Sequence, residues 1–496
     1  MHYLSTRGRA PALDFEQATM AGLAADGGLY VPEAWPALSA DEIRGLRGLD
    51  YAQLAQRLLA RFVGDSIDAD TLARLSAESY RGFSPPGHST AAAHSTVDPA
   101  PLTALDDSLY VLELFHGPTL AFKDFALQFL GRLFGHFLGR RGQTCTILGA
   151  TSGDTGSAAI EALRGIEAVT LYMLHPRGRV SEVQRRQMTT VLDANIHNLA
   201  VDGDFDDCQR LVKALFSDDE FRARHALAAV NSINWARIAA QVIYYFYAAL
   251  QLGAPARAVN FAVPTGNFGN VFAGYVARRM GLPVERLIIG CNRNDILARF
   301  FDSGIMRRRK LHATISPSMD IQVSSNFERY LFDVLGRDGE QVRDLMTVFA
   351  ARGEFTVAPE VHRRAAELIR AHRLTDAQTR AQIADTHRRN GILLDPHSAI
   401  GVAAARACGD GPGDGAPTVA LATAHPAKFD DAVAAACGVG PEWPPRLRDI
   451  LQREERVTTV ANDAAEVKAL MERGESGGRR RGDGRGRGRG PGGRSA

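Results

Sequence analysis

The sequence predicts an α/β protein with a mostly helical region at its N-terminus. From residue 108 onward, short and nearly continuous apolar runs alternate with stretches of helical spacing, which is typical of mainly parallel sheets covered by helices on both faces. The first hundred residues instead carry apolar residues at helix spacing. With 496 residues and 45% hydrophobic composition, the chain is long enough for two to four domains with large cores.

Composition indicates where these domains begin and end. The stretch "ADEIRGLRGLDYAQLAQRLLARFVG" is predicted to be helical, and "GFSPPGHSTAAAHSTVDPAPL" to be a linker or exposed loop. The final Gly/Arg-rich residues are of low complexity and cannot form a packed core. We therefore expect an N-terminal domain over 1–97, a core over 98–430 with a small subdomain at about 141–254, a C-terminal helical segment over 431–473 and a disordered Gly/Arg tail over 474–496.

Seven apolar runs are predicted to be strands, and most are followed by a helical stretch. They are "LYVLELF", "CTILGA", "AVTLYML", "NIHNLAV", "VNFAVP", "RLIIGC" and "TVALATA". Parallel sheets of this kind bind ligands in the loops beyond the carboxyl ends of their strands, where a helix N-terminus commonly follows. The loops after these runs are therefore the places to look for chemistry.

Charge and cysteine content favour a cytoplasmic protein. The net charge of +2 gives no general argument for a nucleic-acid or membrane partner, and seven arginines in residues 474–496 make only the tail basic. The five cysteines are scattered, without the spacing of a metal site, which indicates a reducing compartment and no metal. The longest apolar helix candidate, "IAAQVIYYFYAALQLG", is interrupted by Gln241 and Gln251 and is too short to span a bilayer.

Lys123 is the first candidate functional residue. In "FHGPTLAFKDFALQFLG" a helix is predicted to start near Ala121, after a Gly-Pro turn and with Thr119 able to cap it. A lysine in the first helical turn faces unpaired N–H groups and the positive end of the helix dipole, which disfavour an ammonium. Lys123 is therefore either a solvated or Asp124-paired side chain, or an amine of lowered pKa that forms a Schiff base with a carbonyl.

Two strand-end loops are candidate anion sites. After "CTILGA", the residues Thr151, Ser152, Gly153, Asp154 and Thr155 open a helix, and their hydroxyl and N–H groups form either an anion site or an ordinary polar cap. After "VNFAVP" comes a loop bracketed by glycines that carries no charged side chain. That loop could hold a phosphate by backbone donors alone, or it could be a plain strand-to-helix turn. Its residues are Gly266, Asn267, Phe268, Gly269 and Asn270.

Thr423 ends the run "TVALATA", just before "HPAKF". It either finishes a strand as a β-branched residue or places a hydroxyl beside a neutral ring nitrogen. Taken together, a primary amine, a neutral phosphate loop, a second anion site and this hydroxyl are the groups needed to hold pyridoxal phosphate and an amino acid.

Several of these motifs resemble threonine synthase, of the longer bacterial and fungal type. The motifs are "YLSTRG", "GLAADGGLYVPE", "HGPTLAFKDFALQFLG", "ATSGDTGSAA", "VDGDFDDCQ", "NSINWARIAAQ", "PTGNFGN", "NRNDIL", "SMDIQVSSNFERYLF" and "ATAHPAKF". They occur in family order over roughly residues 1–474. The resemblance implies a tryptophan-synthase-β-like fold (fold type II) with two α/β subdomains and a mostly helical N-terminal domain.

The resemblance also implies a role for each candidate residue. Lys123 carries pyridoxal 5'-phosphate as a Schiff base and shuttles protons, residues 266–270 hold the cofactor phosphate, and Thr423 faces the pyridine nitrogen. The loop with Thr151, Ser152, Asp154 and Thr155 closes over the substrate. Asp154 stands where related enzymes often have an Asn that meets the phenolic oxygen of the cofactor, so its own contact stays open.

The implied reaction is the last step of threonine biosynthesis, in which O-phospho-L-homoserine and water give L-threonine and phosphate by elimination and β-hydration. Candidates for the substrate phosphate are Arg293 and the run Ser324, Ser325 and Asn326, each of which could equally be structural. His116 could likewise be a turn residue or a site residue.

Two other readings remain open from the sequence. One is a related pyridoxal phosphate lyase that acts on serine or threonine by β-elimination, against which "NSINWARI" and "FDDCQ" argue. The other is a nucleic-acid binder that uses the Gly/Arg tail, which lacks interleaved aromatic residues and could also reflect a shifted reading frame. We expect a small-molecule substrate, no membrane or nucleic-acid partner, and a monomer or homodimer.

Overall fold

The computed structural model describes residues 1–83, 98–409 and 415–482, with side chains through residue 473. Most of the expected linker lies outside the described residues, because it falls within 84–97. All five cysteines are free thiols. Within the described ranges, none of the helices combines the length and the hydropathy that a bilayer span requires.

All seven runs predicted to be strands form strands. The sequence does not predict the remaining strands, most of which are two or three residues long. In chain order the strands are β1 Tyr3–Ser5, β2 Tyr30–Pro32, β3 Leu102–Ala104, β4 Leu109–Glu113, β5 Cys145–Ala150, β6 Val169–Pro176, β7 Ile196–Val201, β8 Leu227–Ala228, β9 Val259–Pro264, β10 Val284–Cys291, β11 Ile305–Arg307, β12 Glu354–Thr356, β13 Ile369–Arg373, β14 Thr418–Ala422 and β15 Thr458–Val460.

The α-helices cover both faces of the sheets and build most of the N-terminal region. They are α1 Phe15–Ala21, α2 Ala40–Arg44, α3 Tyr51–Val63, α4 Ala69–Tyr80, α5 Lys123–Arg141, α6 Asp154–Leu163, α7 Glu182–Thr189, α8 Phe205–Phe216, α9 Asp219–Arg224, α10 Trp235–Gln251, α11 Gly269–Arg279, α12 Ile296–Ser303, α13 Phe327–Val334, α14 Gly339–Arg352, α15 Pro359–Leu368, α16 Asp376–Asn390, α17 Pro396–Cys408, α18 Asp430–Cys437 and α19 Ala464–Gly482. Short 3-10 helices occur at Gly64–Ser66, Pro317–Met319 and Pro426–Phe429.

The larger sheet has six strands in the order β13-β10-β9-β14-β4-β3. Neighbouring strands are parallel except at β3 and β4, which pair antiparallel at the edge. The late strand β14 lies between β9 and β4 and is buried throughout, with α17 packed on it. Residues far apart in the sequence therefore end at one edge of this sheet, and the carboxyl ends of β4, β9 and β14 lie side by side.

The smaller sheet has five parallel strands in the order β15-β7-β6-β5-β8. Four of them come from one continuous stretch, whereas β15 returns from near the C-terminus and pairs with β7 at the edge. This sheet and the larger one are the two α/β units of the predicted fold class, which the structure confirms. The long helix α5 packs against α6, which follows β5 of the smaller sheet.

The N-terminal region is mostly helical, as predicted, and it is fixed to the rest of the chain. Its antiparallel pair β1 and β2 places the ring of Tyr3 5.8 Å from that of Trp235. Nearby, Arg7 forms an ion pair with Glu328 at 2.9 Å, and the Thr6 hydroxyl donates to the same carboxylate at 2.6 Å. The region therefore buttresses α10 and α13.

The C-terminal part contains more than helices, since β15 lies between α18 and α19. The helix α19 extends over 474–482, which the composition assigns to the tail, and the rest of that tail, 483–496, lies outside the described residues.

Candidate active site

Lys123 is the first residue of α5, two residues later than the predicted helix start. The preceding turn is held against the segment that follows β14, because the Phe122 N–H donates to the Thr423 carbonyl at 2.8 Å and the His425 N–H donates to the Leu120 carbonyl at 3.0 Å. The Lys123 side chain is buried. The turn therefore brings Lys123 to the carboxyl end of the larger sheet, next to Thr423.

Thr119 does not cap α5, contrary to the sequence prediction. The N-cap residue is Phe122, which makes no side-chain cap bond. Thr119 instead donates to Asp124 twice, from its N–H at 2.8 Å and from its hydroxyl at 2.6 Å. Burial raises the pKa of Asp124 to about 6, against these two hydrogen bonds. The Asp124 carboxyl group is thus hydrogen-bonded within the turn, and Lys123 contacts a different carboxylate.

That carboxylate belongs to Asp154, the first residue of α6. Lys123 Nζ lies 3.2 Å from Asp154 Oδ2, and Lys428 Nζ lies 2.7 Å from the other carboxylate oxygen, Oδ1. All three groups are buried, and the Lys428 side chain is 0% exposed. The contact of Asp154 that the sequence left open is therefore an ion pair with two lysines.

The electrostatics of this cluster favour a neutral amine on Lys123. Burial is the largest cause that lowers the Lys123 pKa, the cations of Lys428 and Arg237 lower it further, and Asp154 opposes them. Burial would raise the Asp154 pKa, but the charges of Lys123 and Lys428 hold it well below its usual range. The direction predicted for the Lys123 pKa holds, but burial rather than the helix end is its main cause.

The loop before α6 is shaped by its own side chains. The Thr151 hydroxyl accepts from the Gly153 N–H at 3.0 Å and from the Gly156 N–H at 2.9 Å. Gly153 has a φ of +147°, and a Cβ there would lie 2.5 Å from the Gln184 side chain, so this position requires glycine. Gln184 Nε2 also donates to Asp154 Oδ1 at 2.8 Å.

Ser152 is exposed in this loop and Thr155 is half-buried. The structure therefore separates the four residues that the sequence grouped together, because Thr151 shapes the loop and Asp154 faces the two lysines. The Ser152 hydroxyl lies in the loop, and the Thr155 hydroxyl lies in the first turn of α6.

The glycine-bracketed loop after β9 forms a cradle at the start of α11. Phe268 has a φ of +62°, and its ring lies in an aromatic cluster 5.3 Å from the ring of Phe327. A Cβ on Gly266 would lie 3.0 Å from the Ser318 carbonyl, while the Ser318 hydroxyl lies 3.5 Å from Asp154 Oδ2. The loop therefore borders the same space as Lys123.

Asn270 completes this cradle. Its Oδ1 accepts from the Tyr244 hydroxyl at 2.6 Å and from the Tyr245 hydroxyl at 2.9 Å, whereas its buried Nδ2 has no hydrogen-bond partner among the described residues. With a buried amide donor, the free N–H groups of a helix start and no cationic side chain within it, the loop suits a phosphate group.

Thr423 lies directly after β14 and is buried. Its N–H donates to the Ser398 hydroxyl at 2.9 Å, and Asp395 accepts from the Ser398 N–H at 3.0 Å and contacts His397 Nδ1 at 2.6 Å. The Ser318 N–H in turn donates to His397 Nε2 at 3.2 Å. One buried network therefore fixes the Thr423 backbone and Ser318, on two sides of the site.

Sequence reasoning missed Lys428, Gln184 and Arg237. Lys428 stands in "HPAKF", only five residues after Thr423. It could have been found from the sequence, because it is a lysine that closely follows a predicted strand with a candidate site residue at its end. Arg237 stands in "NSINWAR" near the start of α10, and Gln184 is a neutral residue on α7 that nothing in the sequence marks.

Arg237 is a buried cation without a counter-ion among the described residues. Its side chain is 4% exposed, and neither Nε nor Nη1 has a hydrogen-bond partner in the part of the chain that the structure describes. Burial lowers its pKa to about 10. Arg237, Gln241 and Tyr244 are spaced to lie on one face of α10, and the Tyr244 hydroxyl on that face donates to Asn270. Arg237 thus holds unused buried donors, and its charge lies close enough to Lys123 to lower the pKa of that lysine.

The residues proposed from the sequence for the substrate phosphate lie in different places. Arg293 is exposed. Ser324 donates to the Gly266 carbonyl at 2.7 Å, and Ser325 donates to Asn267 Oδ1 at 3.3 Å, while Asn326 Nδ2 donates to the Ser232 carbonyl at 3.0 Å. The run 324–326 therefore supports the cradle.

His116 is buried and pairs with Glu113 at 2.7 Å. The Thr103 hydroxyl donates to the other oxygen of that carboxylate at 2.7 Å. His116 is therefore part of a buried pair at the end of β4.

Comparison with protein families gives three matches along the chain. Residues 2–80 match the model described as "Threonine synthase N terminus", residues 96–359 match "Pyridoxal-phosphate dependent enzyme", and residues 398–471 match "Threonine synthase, C-terminal". The Pseudomonas aeruginosa threonine synthase is 53% identical over 472 residues, which cover 95% of this chain and 98% of that protein.

Solved structures agree with the sequence comparisons. A pyridoxal-phosphate-bound threonine synthase from Brucella melitensis superposes with a TM-score of 0.90 at 51% identity, covering 96% of this chain and 99% of that one. Threonine synthase from yeast gives a TM-score of 0.89 at 38% identity, with 96% and 99% covered.

Replacement of Asp154 with Asn would leave the buried lysines without the carboxylate that they share. We expect Asp154→Asn to lower the free energy of unfolding by about 3 kcal/mol near neutral pH, as for a buried pair that loses one partner. Because the Asp154 pKa is depressed on folding, this difference should persist from about pH 7 to pH 5 and shrink only at lower pH, once the folded-state carboxyl is protonated.

Urea denaturation of both proteins measures this difference. The matched control is Asp218→Asn, which removes the carboxylate that pairs with Lys468, both partners being about a third exposed. Solvent screening makes a much smaller effect the expected result for that control. Equal losses in the two variants would contradict the electrostatic explanation.

Proposed function

The chain belongs to the threonine synthase family of pyridoxal-phosphate-dependent enzymes, and we propose that the cluster around Asp154 is its active site. The chain is a lyase that converts O-phospho-L-homoserine and water to L-threonine and phosphate in the last step of threonine biosynthesis. The observation that carries the proposed site is the buried contact of Lys123 and Lys428 with the two oxygens of Asp154.

The cofactor of this family is pyridoxal phosphate, and the described residues fit it. We assign its phosphate to the loop from Gly266 to Asn270, because that loop offers helix-start N–H groups and the unpartnered Nδ2 of Asn270. Bound there, the cofactor withdraws electrons from the Cα of an attached amino acid and so acidifies its Cα and Cβ hydrogens.

Lys123 Nζ is the proposed attachment point for the cofactor aldehyde. Once released, the same nitrogen is the base that takes a proton from the substrate Cα and returns one during the later steps. Both tasks need a neutral amine, which burial and the nearby cations favour. Ser152, Thr155 and the N–H groups of their loop are assigned to the substrate carboxylate, with Thr151 as the residue that holds the loop in shape.

Thr423 is assigned to the pyridine nitrogen. Its backbone is fixed on both sides, by the Phe122 N–H and by the Ser398 hydroxyl, so that its side chain has a defined place beside Lys123. A hydroxyl can bond to a neutral ring nitrogen, whereas a carboxylate would protonate it. The weaker electron withdrawal that results favours elimination and replacement over transamination.

Arg237 is assigned to the phosphate of the substrate. The loop from Gly266 to Asn270 already serves the cofactor phosphate, and the leaving phosphate of the substrate needs a separate cation. Arg237 is buried, has unused donors and is close enough to Lys123 to lower its pKa. An anionic ligand would give this guanidinium the counter-charge that the described residues do not supply.

The location, partners and boundaries stay predictions. We propose a cytoplasmic enzyme with a small-molecule substrate, no nucleic-acid partner and a monomeric or homodimeric state. The domain limits at residues 97, 430 and 473 are proposals of the same kind. The Gly/Arg tail is assigned no part in turnover.

Lys123→Ala should abolish the covalent link with the cofactor. Borohydride reduction followed by peptide mass spectrometry should place a pyridoxyl adduct on Lys123 in the wild type and nowhere in the variant. Turnover should fall at least about 10³-fold, because both the attachment point and the base are lost. The control Lys213→Ala removes an exposed lysine of α8 and should keep adduct and activity. An adduct on another lysine of the wild type would sink the assignment.

Thr423→Asp tests the hydroxyl at the ring nitrogen. A carboxylate there would hold a proton on the ring, so threonine formation should fall and other products of the amino acid should increase. Thr423→Ser keeps the hydroxyl and should stay close to the wild type. Chromatographic product analysis measures both variants, and an unchanged product profile for Thr423→Asp would remove Thr423 from the site.

Arg237→Met should weaken binding of the substrate phosphate. Loss of hydrogen bonds to a charged group predicts a KM for O-phospho-L-homoserine that rises about 10- to 100-fold. Inhibition by inorganic phosphate should weaken in parallel, and cofactor retention, followed by absorbance, should not change. Arg237→Lys keeps the charge and should lie in between. If Arg237→Met instead releases the cofactor at an unaltered KM, the guanidinium serves the cofactor phosphate.

A further inference from the structure

Lys428 is a second buried lysine in the proposed active site, and the proposed chemistry gives it no task. It lies in the 3-10 helix Pro426–Phe429, which follows β14 and Thr423. Its Nζ lies 2.7 Å from Asp154 Oδ1 and donates to the Thr119 carbonyl at 2.8 Å. A fully buried lysine needs a specific reason to be there, because an ammonium without partners is very costly in the protein interior.

The two lysine nitrogens differ in their hydrogen-bond acceptors. Lys428 Nζ has two oxygen acceptors within 2.8 Å. Among the described residues, Lys123 Nζ has one acceptor, Asp154 Oδ2, at the longer distance of 3.2 Å, and it lies 5.2 Å from the ring centroid of Phe122. Lys428 Nζ therefore has more and shorter contacts with oxygen acceptors than Lys123 Nζ has, and such contacts stabilise a positive charge.

The Asp154 carboxylate cannot by itself neutralise two ammonium groups, and the other nearby carboxyl, Asp124, is engaged by the N–H and the hydroxyl of Thr119. One carboxylate faces two ammonium groups, and Arg237 adds a third positive charge that acts on Lys123. His397 also lowers the pKa of Asp154. Lys428 in turn lowers the pKa values of Asp124 and His425. Loss of one proton leaves Asp154 with one ammonium, which is a neutral pair.

Without Lys428, that neutral pair would consist of Asp154 and a protonated Lys123. With Lys428 present, Asp154 keeps a partner when the nitrogen of Lys123 is neutral. The second lysine therefore decides which nitrogen of the cluster can react.

We propose that Lys428 is a positioning residue for the reaction, whose fixed ammonium holds Asp154 as a carboxylate and makes Lys123 the nitrogen that gives up its proton. Lys428 acts through Asp154 and is not placed on the reacting atoms. This inference rests on the proposed function, since it concerns the protonation of the nitrogen assigned to the cofactor.

The test is a pH titration of the holoenzyme in four lysine variants. Lys428→Met removes the charge and both contacts, Lys428→Gln removes the charge but keeps a donor for the Thr119 carbonyl, and Lys428→Arg keeps the charge. Lys468→Met is the matched control, because Lys468 also pairs with an aspartate, Asp218, but lies on α19. The readouts are the pH dependence of the cofactor absorption bands and that of kcat/KM.

In the two neutral variants, Lys428→Met and Lys428→Gln, the titration midpoint of the Lys123 nitrogen should lie about one pH unit or more above that of the wild type. The reason is that a nearby like charge has been removed. At neutral pH their kcat/KM should fall about tenfold and recover towards higher pH. The midpoint of Lys428→Arg should stay within about 0.5 pH unit of the wild-type midpoint, because the charge is retained. The control Lys468→Met should leave the midpoint unchanged. Neutral variants that titrate like the wild type would overturn the proposal, as would a shift in Lys428→Met that Lys428→Gln does not share.

Borohydride reduction and mass spectrometry of each variant separate this proposal from the assignment of Lys123. An adduct on Lys123 with unmoved midpoints refutes only the role of Lys428, whereas an adduct elsewhere refutes the assignment itself. If both neutral variants fail to fold, the double variant Asp154→Asn/Lys428→Gln, which removes the carboxylate together with its partner, has to fold for the proposal to stand. Failure of the double variant as well would overturn it.

Discussion

The structure of the proposed active site depends on one buried carboxylate that two lysines share. Asp154 begins the helix that follows β5 of the smaller sheet, whereas Lys123 and Lys428 lie at the carboxyl end of the larger sheet, beside β14. These two contacts therefore join the two α/β units at the edge where both offer helix starts. Because a buried charge without partners is far less stable than a paired one, the contacts stabilise the relative position of these elements at the proposed substrate site.

Most of the fold could be predicted from the sequence because its central strands are apolar along their whole length. All seven predicted strands are central or near-central members of the two sheets, and burial on both faces gives them a composition that stands out. Most of the strands that were not predicted, such as the edge strands β8 and β15, are two or three residues long, and the longer β13 also lies at a sheet edge. A run that short has no detectable period, and only tertiary pairing makes it a strand.

The residues of the proposed site could be found from the sequence where a glycine or a lysine follows a predicted strand, but not where a contact comes from a distant part of the chain. Lys123, the loop from Gly266 to Asn270 and Thr423 all follow predicted strands. The cap assigned to Thr119 was wrong because Asp124, inside the same turn, takes both of its donors. The partners of Asp154 lie 31 residues before it and far after it, a distance that local pattern does not reach.

The cations of the proposed site differ in the oxygen partners that surround them. This difference indicates which of them can bind an incoming anion. Lys428 already contacts a carboxylate and a carbonyl, which leaves one of its three N–H donors for an incoming anion. Arg237 has no counter-ion among the described residues, and its burial is unfavourable until an anion arrives. The glycine loop holds no cation and binds through N–H groups that cannot lose a proton. An ammonium in contact with Asp154, a guanidinium without a counter-ion among the described residues and a neutral cradle therefore suit the proposed site, which would receive two phosphates while a single amine stays uncharged.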